Sequence, residues 1–110
     1  MAKKDTTATA LSVKIMLNDK GSPTGKLADA ELLFTEGPLA GLRLLGFAVW
    51  ERRSGEGRNV TFPARTYSVN GERRSFALLR PATEANAQDR IRDLVLAAYA
   101  EAEVAAANAA

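Results

Sequence analysis

At 110 residues, with 46% apolar and 25% charged residues, the chain is the length of one domain and carries enough apolar material for its own core. It has no cysteine and no histidine, which excludes disulfides, thiolate nucleophiles, thiolate or imidazole metal sites and every histidine-based triad. The net charge of +2 hides a strong asymmetry: residues 43–80 hold eight arginines against three glutamates, and residues 81–110 hold two arginines against five acids.

Residues 1–9 carry Lys3 and Lys4 but no apolar stretch, so they read as a flexible polar arm rather than a secretory signal. No run approaches about 18 apolar residues, so no membrane-spanning helix is expected, and the expected location is the cytoplasm. From Leu11 the pattern has period two. Leu11, Val13, Ile15 and Leu17 share one face of a strand, with Ser12, Lys14 and Met16 on the other. Asn18 to Gly25 is dense in turn formers. Lys26 to Phe34 alternates again, with Ala28, Ala30, Leu32 and Phe34 opposite Asp29 and Glu31, which predicts a hairpin with the first strand.

After Glu36-Gly37-Pro38 comes the longest apolar run, Leu39 to Trp50. Leu42 and Leu44 lie in one phase, and Leu45, Phe47 and Val49 in the other, so a bulge or bend is expected, permitted by Gly41 or Gly46. Glu51 to Arg58 is a polar, glycine-bearing loop. Val60 and Phe62 mark a short strand stopped by Pro63. Asn70-Gly71 is a tight-turn signal, and Arg73 to Arg80 reads as a last strand closed by Pro81.

Beyond Ala82 the period becomes 3.6. Ile91, Leu94, Val95, Ala98, Tyr99 and Ala102 form one helical stripe, with Asn86 suited to the N-cap. The predicted fold is α+β: a four- to five-stranded antiparallel sheet followed by one C-terminal helix, in a single domain over 10–105 with a frayed tail at 106–110. The helix covers one sheet face. Uncovered edges and the second face make a homodimer the natural arrangement.

Catalysis finds no support. Asp29 with Glu31, and Asp89 with Asp93, share faces, but neither pair has the apolar surroundings that would tune a carboxyl for acid–base work. Ser54 to Arg58 lacks the lysine of a phosphate loop, and no acidic spacing suits a metal. No catalytic residue, metal or cofactor is expected.

Arginines interleaved with aromatic residues form the better pattern. Arg52 and Arg53 follow Trp50, Arg58 opens the next strand, Arg65 and Tyr67 follow Pro63, and Arg73 and Arg74 precede Phe76. Guanidinium groups pair with phosphates and rings stack on bases. Phe76 is expected in the core and Tyr67 at the surface, with Trp50 open between the two.

Several segments together resemble the SpoVG family, the bacterial septation regulators. Arg90-Ile91-Arg92-Asp93-Leu94-Val95-Leu96-Ala97-Ala98-Tyr99 is similar to that family's C-terminal helix, and Pro81 matches the proline before it. Gly71-Glu72-Arg73-Arg74 resembles the preceding turn and basic strand. Val60-Thr61-Phe62-Pro63-Ala64-Arg65 resembles the strand ending in a proline followed by basic residues, and Leu42-Arg43-Leu44 into Val49 the central strand. The resemblance spans about Lys26 to Tyr99. The departures are the arginine-rich loop from Glu51 to Asn59, the single Arg65 where the family has a basic pair, and one additional residue after Pro81.

The resemblance implies a small dimeric regulator that binds DNA or RNA, with Arg65, Arg73 and Arg74 in the positions that contact nucleic acid. The expected function is therefore nucleic-acid binding, single- or double-stranded, through Arg52, Arg53, Arg58, Arg65, Tyr67, Arg73 and Arg74. The alternative is a protein-interaction module, of the kind found as phage or plasmid accessory factors, whose arginine face docks an acidic partner. The low net charge favours that alternative.

Overall fold

A computed structural model describes residues 10–52, 55 and 57–109. The elements within the described residues are, in chain order, β1 (Leu11–Leu17), β2 (Lys26–Phe34), β3 (Arg43–Glu51), β4 (Arg58–Thr61), β5 (Ala64–Val69), β6 (Glu72–Ala77) and α1 (Ala87–Ala109). The first four form an antiparallel sheet in the order β1-β2-β3-β4, and β5 and β6 form a separate two-stranded ribbon. The α+β class therefore holds, with the strands divided between two sheets. Residues 106–109 are helical, extending α1 past the expected end of the domain at 105.

The first hairpin follows the period-two pattern. Leu11 pairs with Phe34, Val13 with Leu32 and Ile15 with Ala30, so the apolar residues of both strands share one face. Asn18 organises the turn: its side-chain amide donates to the carbonyl of Lys26 at 2.9 Å, and its carbonyl oxygen accepts from the backbone N–H of Lys20 at 3.2 Å. Ala28, Ala30, Leu32, Phe47, Val49 and Val60 on the sheet bury against Val95 and Tyr99 of α1. The helical stripe read from the sequence is the buried or half-buried face of α1, which starts directly after Asn86.

The phase change in β3 is a bulge. Ala30 pairs with Phe47 and Leu32 with Leu44, so the single residue Glu31 of β2 faces two of β3, Leu45 and Gly46. Gly46 takes the strain, at φ +107. The bulge returns Phe47 and Val49 to the core and leaves Leu45 and Leu42 exposed, which splits the group Leu45, Phe47 and Val49 expected on one face.

The opposite sheet face is solvated. Arg43 pairs with Glu31 at 3.0 Å and Lys26 with Asp29 at 2.6 Å. Half-buried Trp50 lies on this side, its indole N–H donating to the Thr61 hydroxyl at 3.0 Å. These exposed pairs contribute little stability, but they place acids on the face where a sheet-binding polyanion would lie.

Candidate nucleic-acid interface

The ribbon leaves the sheet at Pro63. That residue is buried and stands against Gly46, and it has no N–H to continue the β4 ladder. Its carbonyl accepts from the N–H of Leu78 at 2.9 Å, which closes the ribbon's base. At the tip, Asn70 and Gly71 have φ of 53 and 84, the two positive values that a type I′ two-residue turn requires. The ladder ends at Ala77, short of the strand to Arg80 read from the sequence.

Every residue of β5 is exposed, as are all of β6 except Ala77. Register then sorts the side chains. Arg65 pairs with Phe76, Tyr67 with Arg74 and Val69 with Glu72, and these six share one face. Thr66, Ser75, Ser68 and Arg73 lie on the other. On the first face the rings of Tyr67 and Phe76 meet edge to face, with centroids 5.8 Å apart. Tyr67 is 42% exposed and Phe76 41%. Phe76 is therefore not a core residue, because the tight turn pairs β6 with β5 alone and no further layer covers them among the described residues.

Arg65 and Arg74 flank the ring pair on the same face. Arg65 and Arg73 make no ion pair among the described residues. Arg74 donates to Glu72 at 3.1 Å in a pair more than half exposed on both sides, which a phosphate can displace. Arg73, expected to act with Arg74, projects from the opposite face, as adjacent strand residues must.

The loop arginines divide differently. Arg53 lies outside the described residues. Arg52 is exposed and folds back on its own loop, its Nε donating to the carbonyl of Arg58 at 3.3 Å. Arg58 is not a free cation. It sits two residues before Val60 and so faces the helix, where its guanidinium lies 5.6 Å from the Tyr99 ring centroid and donates to Glu103 at 3.4 Å. The Tyr99 hydroxyl donates to the same carboxylate at 3.3 Å, and burial pushes the Tyr99 phenol above its ordinary value. Arg58 thus joins the sheet to the helix, which removes it from the proposed phosphate contacts.

The sequence pattern gives no sign of a second feature. An apolar cavity of about 280 Å³ opens between β1, β2 and the start of α1, lined by Leu11, Leu32, Phe34, Leu79, Ile91 and Leu94. Of the polar groups at its rim, Arg90 pairs with Glu84 at 2.6 Å, and the Gln88 amide donates to the Leu79 carbonyl at 2.7 Å. Arg80 alone remains, too few convergent polar groups to orient a small ligand.

Among the described residues, no group of acidic residues could hold a metal ion and no helix is long and apolar enough to cross a membrane. No family model, no curated protein and no solved structure matches this chain.

Proposed function

We propose that this chain is a SpoVG-like, nucleic-acid-binding regulator that works as a cytoplasmic homodimer and is not an enzyme. The observation that carries the reading is the exposed ribbon face, where Arg65 and Arg74 alternate with Tyr67 and Phe76. The binding surface is this ribbon, with Arg73 and Arg52 as outlying phosphate contacts. The acidic residues Asp29 and Glu31 argue against the open face of the main sheet. Support for the dimer comes from β3: among the described residues, Arg43 to Phe47 have β2 as their one strand neighbour, and Leu45 within this stretch and Leu39 and Leu42 before it are each more than half exposed. Light scattering is expected to return twice the chain mass.

Titration of labelled nucleic acid across a salt series tests the binding. Arg65→Ala with Arg74→Ala is expected to weaken it about ten- to a hundredfold and to flatten the log–log salt slope by about 1 for each phosphate no longer neutralised. Arg73→Ala, on the other face, has a smaller effect. Unchanged affinity of the double variant at every salt concentration rules this surface out. The runner-up reading is an acidic protein partner on the same arginines. It would show as nuclease-resistant capture of one acidic protein, with no nucleic-acid binding at low salt.

A further inference from the structure

We infer that the ribbon face recognises single-stranded nucleic acid by base stacking, with Tyr67 and Phe76 as the platform and Arg65 and Arg74 as the phosphate contacts on either side. This rests on the nucleic-acid reading above and narrows it to one substrate class.

Three observations carry it. First, the two rings are large apolar surfaces left in water on a protein that has a well-formed core elsewhere. Isolated exposed apolar residues are ordinary, but here two rings touch one another on a projecting ribbon. Second, the rings are diagonal neighbours across the ladder. Arg65 stands directly opposite Phe76, and Arg74 directly opposite Tyr67. Each ring therefore has a guanidinium as its cross-strand partner, at a Cβ separation of about 5 Å. A stacked base and the phosphate attached to it need such a pair: a ring for the π-face and a cation within one nucleotide's reach. Third, the edge-to-face arrangement leaves ring surface uncovered, whereas a sandwich of the two rings would consume it.

Duplex DNA fits this face less well. Its bases are already stacked and offer edges rather than π-faces to a protein in the groove. Readout there uses several hydrogen-bonding side chains aligned on base edges, whereas this face sets a ring on two of its three rungs, Phe76 opposite Arg65 and Tyr67 opposite Arg74, with Val69 opposite Glu72 at the tip. The opposite face, with Thr66, Ser68, Arg73 and Ser75, has the polar character suited to phosphate and groove contacts but no ring. The ring-bearing face, with two arginines and one acid, Glu72, at its tip in an exposed pair with Arg74, is thus suited to unpaired bases.

The test compares fluorescein-labelled oligothymidylate, oligouridylate and a mixed-sequence duplex, each about 20 nucleotides long and so longer than one expected site. Wild-type protein is expected to bind both single strands at least about tenfold more tightly than the duplex at equal salt. Tyr67→Leu and Phe76→Leu keep the ribbon apolar but remove the rings. Each is expected to weaken single-strand binding about five- to a hundredfold while changing duplex binding less than about twofold. Tyr67→Phe, which keeps a ring, is expected to retain near wild-type affinity. Far-ultraviolet circular dichroism of each variant shows whether the fold survives. As a readout independent of variant stability, photocross-linking of wild-type protein to bromouracil-substituted strand is expected to label the peptides that carry Tyr67 or Phe76. Equal affinity for strand and duplex, with leucine variants binding as wild type, overturns the stacking inference and leaves the nucleic-acid reading standing. Absence of binding to all three probes overturns both.

Discussion

Gly46→Ala is expected to destabilise the protein by about 2–6 kcal/mol, a large share of a typical domain stability of about 5–15 kcal/mol. Two costs combine. At φ +107 any side chain is strained, typically by about 1–3 kcal/mol. The added Cβ would also meet Cβ of Pro63 at 2.9 Å and its Cα at 3.3 Å, so buried ring and backbone would have to move, typically for a further 1–3 kcal/mol or so. Gly41→Ala separates the two. Gly41 has φ +88 but open space around it, so its variant carries the backbone strain alone, about 1–2 kcal/mol. Urea denaturation of both variants measures the difference. Equal destabilisation would mean that the contact between the bulge and Pro63 does not constrain the fold. The same contact sets where the ribbon leaves the sheet, so a Gly46→Ala protein that still folds is expected to bind nucleic acid less well although no binding residue has changed.

Phe47→Ala is expected to cost about 3–5 kcal/mol by removing the largest fully buried side chain. Phe47 is 1% exposed and meets the Phe62 ring edge to face, with centroids 5.1 Å apart. Deleting it leaves a cavity under α1 and takes away that ring contact. Phe76→Ala removes the same atoms at a site 41% exposed, where the main effect is to unpair Tyr67. Its cost is expected to stay below about 1.5 kcal/mol. Thermal unfolding of the two variants side by side distinguishes a core phenylalanine from a surface one. A similar drop in both would mean that the ribbon packs against the body of the protein.

Phe47 and Phe76 also mark how far the chain can be read without its fold. Both follow the pattern of strand residues, and both have apolar or aromatic near neighbours. Phe47 is buried because it faces α1 in the core cluster, with Ala30 of β2 beside it and the Phe62 ring against it. Phe76 is exposed because β6 pairs only with β5. Periodicity gives a residue its side of a strand; whether anything covers that side depends on which strands pair. The arginines behave alike. The resemblance and the local charge both point to Arg65, Arg73 and Arg74, yet the ladder register puts Arg73 on the opposite face. Charge alone singles out Arg58 as well, but its phase with Val60 turns it toward α1, where Tyr99 and Glu103 engage it.

The linear pattern alone determined the α+β class, the first hairpin and its core face, the need for a break within β3, the Asn70-Gly71 turn and the buried stripe of α1. Each depends on residues within a few positions of one another, where backbone sterics, side-chain period and turn chemistry act without distant partners. Only the tertiary structure decided that β5 and β6 separate from the sheet, that Gly46 closes on Pro63, and that Arg65, Tyr67, Arg74 and Phe76 share an uncovered face. The two-residue turn sets the ribbon's own register locally, but whether another segment covers its face, and which segments meet, depends on contacts between parts far apart in the chain, and a local pattern does not specify which surface meets which.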